Sequence, residues 1–137
     1  MPLVRISVLK GRSAARKRAL ADAVHRALVE TIDVPALDRF QVITEHEPGD
    51  LVYDPEYLGI HRTDDVVFIQ VTLSRGRSLA QKRALYRSIA ANLHESTGLR
   101  TEDVFVSLVE VGREDWSFGH GFASYAPEKA ETESVPI

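Results

Sequence analysis

A shift of 65 positions lays the second half of the chain on the first without a gap, and this internal repeat limits the possible folds more than any other feature. Gly11-Arg12-Ser13 falls on Gly76-Arg77-Ser78, and Lys17-Arg18-Ala19-Leu20 falls on Lys82-Arg83-Ala84-Leu85. The same register carries Glu30 to Glu95, Asp38 to Asp103, Phe40 to Phe105 and Glu45 to Glu110. A chain duplicated in this way builds one small unit twice and packs the copies together.

Each copy reads as β-α-β. Leu3–Leu9 and Val67–Leu73 alternate apolar and polar residues, the pattern of a strand with one buried face. Ser13 and Ser78 stand at helix-capping positions, and Gln81 completes a Ser-x-x-Gln capping box in the second copy. Leu20, Val24, Ala27 and Leu28 then recur at helical spacing, as do Leu85, Ile89 and Leu93. The helices stop at Asp33-Val34-Pro35 and at Thr97-Gly98, and second strands are expected over Phe40–Thr44 and Val104–Val109.

These elements predict a single α/β domain over residues 2–125, with repeats at 2–47 and 66–112 and a connector at 48–65. The connector has room for a short hairpin or a 3₁₀ turn. Residues 126–137 read as a flexible tail or an intersubunit arm, because their apolar content is too low to pack alone. Right-handed crossovers give each copy two parallel strands with a helix on one face. Two copies about a pseudo-twofold then make a four-stranded mixed sheet with both helices on the same side. The opposite face is expected to be apolar and uncovered, which predicts a homo-oligomer.

Composition excludes several classes of function. The formal charge of -3 supplies no excess of cations for nucleic acid, and the absence of cysteine removes disulfides and thiolate catalysis. The five histidines lack metal-ligand spacing and no glycine-rich phosphate loop occurs, so neither metal nor cofactor is expected. With no signal-peptide or membrane pattern, the expected location is cytoplasmic.

Pro2 carries the chemistry worth testing. Removal of Met1 would turn its nitrogen from an amide into a secondary amine, and α-amino groups titrate near pH 7.7–8.0. Such a group can act as acid, base or nucleophile at neutral pH. Its repeat counterpart is Val67, so the strand itself does not require proline. If the first strands of the two copies pair antiparallel, Pro2 approaches Ser74-Arg75-Gly76-Arg77. On the residues alone, Arg75 and Arg77 suit a small carboxylate, since guanidinium binds carboxylate in bidentate fashion. Their counterparts Lys10 and Arg12 also allow a structural reading. Asp38, matched by Asp103, reads equally well as a turn aspartate.

The amino-terminal proline, the duplicated β-α-β unit and the segments VPALDRFQ (34–41), SRGRS (74–78) and DWSFGHG (115–121) resemble the tautomerase superfamily, most of all its malonate semialdehyde decarboxylases. Gly76 stands where that family more often has proline between the two arginines. The resemblance implies the tautomerase (4-oxalocrotonate tautomerase/MIF-like) fold, a homotrimer and cofactor-independent chemistry. It makes Pro2 and Asp38 catalytic, with Arg75 and Arg77 on the substrate carboxylate. Trp116, Phe118 and Tyr125 become an apolar wall. The implied activity is decarboxylation of a small 3-oxo carboxylate. The alternatives are keto-enol tautomerisation, hydration or dehalogenation of small unsaturated acids, and a non-catalytic homologue.

Overall fold

The computed structural model describes residues 2–126, so the tail expected at 126–137 lies outside the described residues apart from Ala126. Six main elements follow one another: β1 (Leu3–Leu9), α1 (Ala14–Ile32), β2 (Gln41–His46), β3 (Val67–Ser74), α2 (Leu79–Thr97) and β4 (Val104–Val111). The connector contains one 3₁₀ turn, Tyr57–Gly59.

Local chemistry sets the boundaries. The Ser13 hydroxyl accepts the Arg16 N–H at 3.1 Å and opens α1. At α2 the box is complete: the Gln81 N–H donates to Ser78 Oγ at 3.1 Å, and the Ser78 N–H donates to Gln81 Oε1 at 2.9 Å. Both helices end on a left-handed residue, Asp33 (φ 58) and Gly98 (φ 72). β2 begins one residue later than expected and runs to His46. Phe40 still joins the sheet through its carbonyl, which accepts the Val4 N–H at 3.0 Å.

The sheet order is β2-β1-β3-β4. β1 and β3 pair antiparallel at the centre, with Leu3 opposite Thr72 and Ile6 opposite Ile69. β2 runs parallel to β1, and β4 parallel to β3. The pseudo-twofold therefore passes between the first strands of the two copies.

Val4, Ile6 and Val8 of β1 and Val67, Ile69, Val71 and Leu73 of β3 face the helices and are buried. They meet Leu20, Val24 and Leu28 of α1 and Leu85, Ile89 and Leu93 of α2 in one core. Each such Leu or Ile side chain contributes roughly 1.5–3 kcal/mol on burial. Asn92 of α2 donates to the Ala23 carbonyl of α1 at 3.3 Å, a polar tie between the helices.

The open face departs from expectation. It is uncovered, but it is not uniformly apolar: Arg5 and Gln70 lie exposed along its two central strands. Apolar exposure concentrates toward the outer strands, where Val42, Phe105 and Val109 show and Phe68 packs on Phe105 at 5.2 Å. Period-two alternation says which residues leave the core, not whether they are apolar. Among the described residues no helix is long and apolar enough to cross a membrane.

Candidate active site

One end of the sheet gathers the starts of β1 and β2 and the ends of β3 and β4, because the two halves run in opposite directions. Continuing the register one residue back from the Leu3–Thr72 pair and two back from the Val4–Gln41 pair puts Pro2 level with Leu73 on one side and Arg39 on the other. Pro2 is buried there. Ser74 and the Arg75-Gly76-Arg77 turn continue from β3 just beyond it.

Asp38 is half-buried immediately before β2, its N–H bonded to the Pro35 carbonyl at 3.0 Å. The next residues hold this segment on α1. Arg39 Nη2 donates to Asp22 Oδ1 at 2.6 Å, and Arg39 Nε donates to Gln41 Oε1 at 2.8 Å. Gln41 Nε2 in turn reaches the Ala21 carbonyl at 2.9 Å. The hydrogen bond from Arg39 holds the Asp22 carboxyl below its ordinary pKa. Asp-Arg-Phe-Gln is thus one aspartate followed by an anchor, a ring and a second anchor.

The two arginines differ. Arg77 Nη1 donates to the Ser74 carbonyl at 2.8 Å, bracing the turn, as Arg12 Nη1 does more weakly with the Leu9 carbonyl at 3.4 Å. Arg75 is exposed, and among the described residues its guanidinium has no hydrogen-bond or ion-pair partner. Gly76 has φ 129, as Gly11 has φ 124 in the first copy. Proline, fixed near φ -65°, cannot take that conformation. The glycine is therefore built into this turn.

The aromatic wall forms at the same end. Trp116 and Phe118 stack at 5.5 Å, Tyr125 meets Phe118 edge-on at 5.2 Å, and Phe40 joins from the β2 side at 5.4 Å. Trp116 Nε1 donates to Ser74 Oγ at 3.0 Å, which pins the wall to β3. The Trp116–Ser124 loop closes through Ser124 N–H to the Trp116 carbonyl (3.1 Å) and Phe118 N–H to Ser124 Oγ (2.9 Å). A cleft of about 300 Å³ opens beside the turn, lined by Asp33, Ser74, Arg75, Arg77 and Arg113 among others.

Sequence reasoning missed Ser74, Phe40 and Arg113. Ser74 carried a signal, since its repeat counterpart is Leu9 and a hydroxyl replacing a leucine at a strand end needs a partner. Phe40 was masked by its match to Phe105. Arg113 lies beyond the second repeat, where the internal comparison gives no guidance.

A family model described as tautomerase enzyme matches residues 38–119, and a second of the same description matches residues 2–60. The chain is 46% identical over 123 residues to the probable tautomerase YusQ of Bacillus subtilis (strain 168), covering 90% of this chain and 97% of the relative. It is similar to malonate semialdehyde decarboxylase, solved in wild-type, mutant and inactivated forms, with TM-score 0.85 and 39% identity over 90% of this chain and 95% of that one. A fused 4-OT wild type symmetric trimer shares the fold, with TM-score 0.73 and 24% identity over 88% of this chain and 94% of that one. With matched segments running from residue 2 to residue 119 and close relatives along nearly its whole length, this chain is an enzyme of the tautomerase family.

Proposed function

We propose that the protein is a cofactor-independent decarboxylase of a small 3-oxo carboxylate such as malonate semialdehyde, working through Pro2 after loss of Met1. The observation that carries this reading is the meeting, at one end of the sheet, of the start of β1, a turn whose Arg75 guanidinium has no partner among the described residues, and an aromatic wall. The 39% identity to a malonate semialdehyde decarboxylase supports the same substrate class.

Arg75 and Arg77 hold the carboxylate, and charge-assisted bonds to guanidinium orient it. Trp116, Phe118 and Tyr125 cover the reacting carbons and keep water from the carboxylate, which favours departure of neutral CO2. Protonated Pro2 donates to the carbonyl oxygen and stabilises the enolate as the C–C bond breaks. In the other route neutral Pro2 condenses with the carbonyl and releases water, the iminium takes up the electron pair as CO2 leaves, and protonation and hydrolysis of the resulting enamine free Pro2 again. Asp38 positions the carbonyl or a water and favours the cationic amine by its charge. The open sheet face fits a homotrimer, the assembly of the fused 4-OT neighbour.

A tautomerase reading has its own support in the name of the 46% identical relative. The ammonium route to decarboxylation and tautomerisation separate on the state of Pro2, which must be protonated for the first and neutral to serve as a base. NMR titration of the Pro2 nitrogen decides between them. The ammonium route predicts an amine still mostly protonated at pH 7, and a midpoint well below 7 would rule that route out in favour of a neutral proline, as base or as iminium-forming nucleophile.

A further inference from the structure

Arg113 stands in the same cleft as Arg75 and Arg77, and neither repeat supplies it. It opens the 3₁₀ turn Arg113–Asp115 directly after β4. Two bonds close that turn: the Gly112 N–H donates to Asp115 Oδ2 at 2.7 Å, and the Asp115 N–H donates to the Gly112 carbonyl at 3.1 Å. Arg75 is tied to the same place. Its N–H reaches the Val111 carbonyl at 2.8 Å, and its Nη1 lies 3.5 Å from where a Cβ on Gly112 would stand. The turn bearing Arg113 and the turn bearing Arg75 are therefore one connected structure.

The guanidinium of Arg113 has no hydrogen-bond or ion-pair partner among the described residues. It lies over the ring of Tyr125, 5.7 Å from the centroid, within the range of cation–π attraction. Arg113 thus reaches from the arginine cleft to the aromatic wall. Three guanidiniums line the cleft against the single carboxylate of Asp33, and the start of α2 adds its positive dipole end through Gln81. A single substrate carboxylate occupies the Arg75–Arg77 clamp. That leaves a cation over.

We infer that Arg113 is a specificity-determining residue that forms a second carboxylate subsite, so that short acids bearing a second carboxylate bind more tightly than monocarboxylates of the same length. This rests on the proposed use of Arg75 and Arg77 as a carboxylate clamp. One carboxylate occupies that clamp, the carbon chain lies along the wall, and the second carboxylate meets Arg113.

Calorimetric binding of succinate and butyrate tests the subsite without turnover. The two acids have the same chain length and differ only in the second carboxylate. Wild-type protein should bind succinate about tenfold tighter than butyrate, the scale of one charge-assisted contact at a partly exposed site. Arg113→Ala should bring the ratio close to one, and Arg113→Lys should retain part of it. Equal binding of the two acids by wild type, binding of neither, or a preference surviving Arg113→Ala would overturn the inference. Loss of malonate semialdehyde, assayed on the same wild-type sample, reports separately on the decarboxylase reading. A protein that lacks that activity yet prefers succinate keeps the subsite and loses only the proposed reaction.

Discussion

Asp38 and Asp103 occupy the same position in the two repeats, yet their surroundings differ. Asp103 is fully buried, and its carboxylate accepts the N–H and the hydroxyl of Thr63 at 2.7 Å each, which locks the connector onto the second repeat. Asp38 is half-buried at the site end of the sheet, in a segment held by Arg39 and Gln41. The repeat made the pair visible and could not separate them, because Thr63 comes from the unrepeated connector. Ser74 is the residue whose test is cleanest, since Trp116 is the single tryptophan of the chain. Ser74→Ala leaves the indole N–H without its 3.0 Å partner, at a cost of about 1–2 kcal/mol. Tryptophan emission should shift to the red as the indole turns to water. Unchanged emission and unchanged thermal stability would show that this bond does not hold the wall.

At the scale of elements, the strands, helices and caps were legible because periodicity and capping chemistry act within a few residues. The arginine turn was read only in part. Its charges were evident, while the backbone that aims them was not, since φ at a glycine leaves no trace in the pattern. Gly76 and Gly11 provide a matched pair, with φ 129 and φ 124 in equivalent turns. An added Cβ meets no heavy atom within 4 Å at either, so alanine there costs backbone strain alone, roughly 1–3 kcal/mol. Both Gly76→Ala and Gly11→Ala should lower the melting temperature by similar amounts. Only Gly76→Ala should also lower kcat/KM on an oxo acid, because only that turn carries the clamp. An equal loss of activity in the two variants would deny the turn its role in positioning.

At the scale of the whole molecule, the pseudo-twofold produces two ends of the sheet from one sequence pattern, and they are chemically unequal. At the far end β3 begins at Val67 in mid-chain, where the nitrogen is an amide, and Arg12 is engaged there with the Asp65 carbonyl. At the near end Pro2 lies level with Arg39 and Leu73, where β3 runs into the arginine turn, and loss of Met1 would give it a free amine. Duplication explains why charge and aspartate recur at both ends. The amine explains why only one of them is proposed to turn over substrate. The aromatic wall was recognised from the 115–121 segment, but its closure against Ser74 and Phe40 depends on sheet register, which pairs residues far apart in the chain. The most direct test is the rate of malonate semialdehyde loss with wild-type protein and with Pro2→Ala, after mass spectrometry shows that Met1 has been removed. The account predicts turnover by wild type and a rate about 10²–10⁴-fold lower for Pro2→Ala, the contribution typical of a positioned acid–base group. Equal rates, or no loss of malonate semialdehyde with wild type, would contradict it.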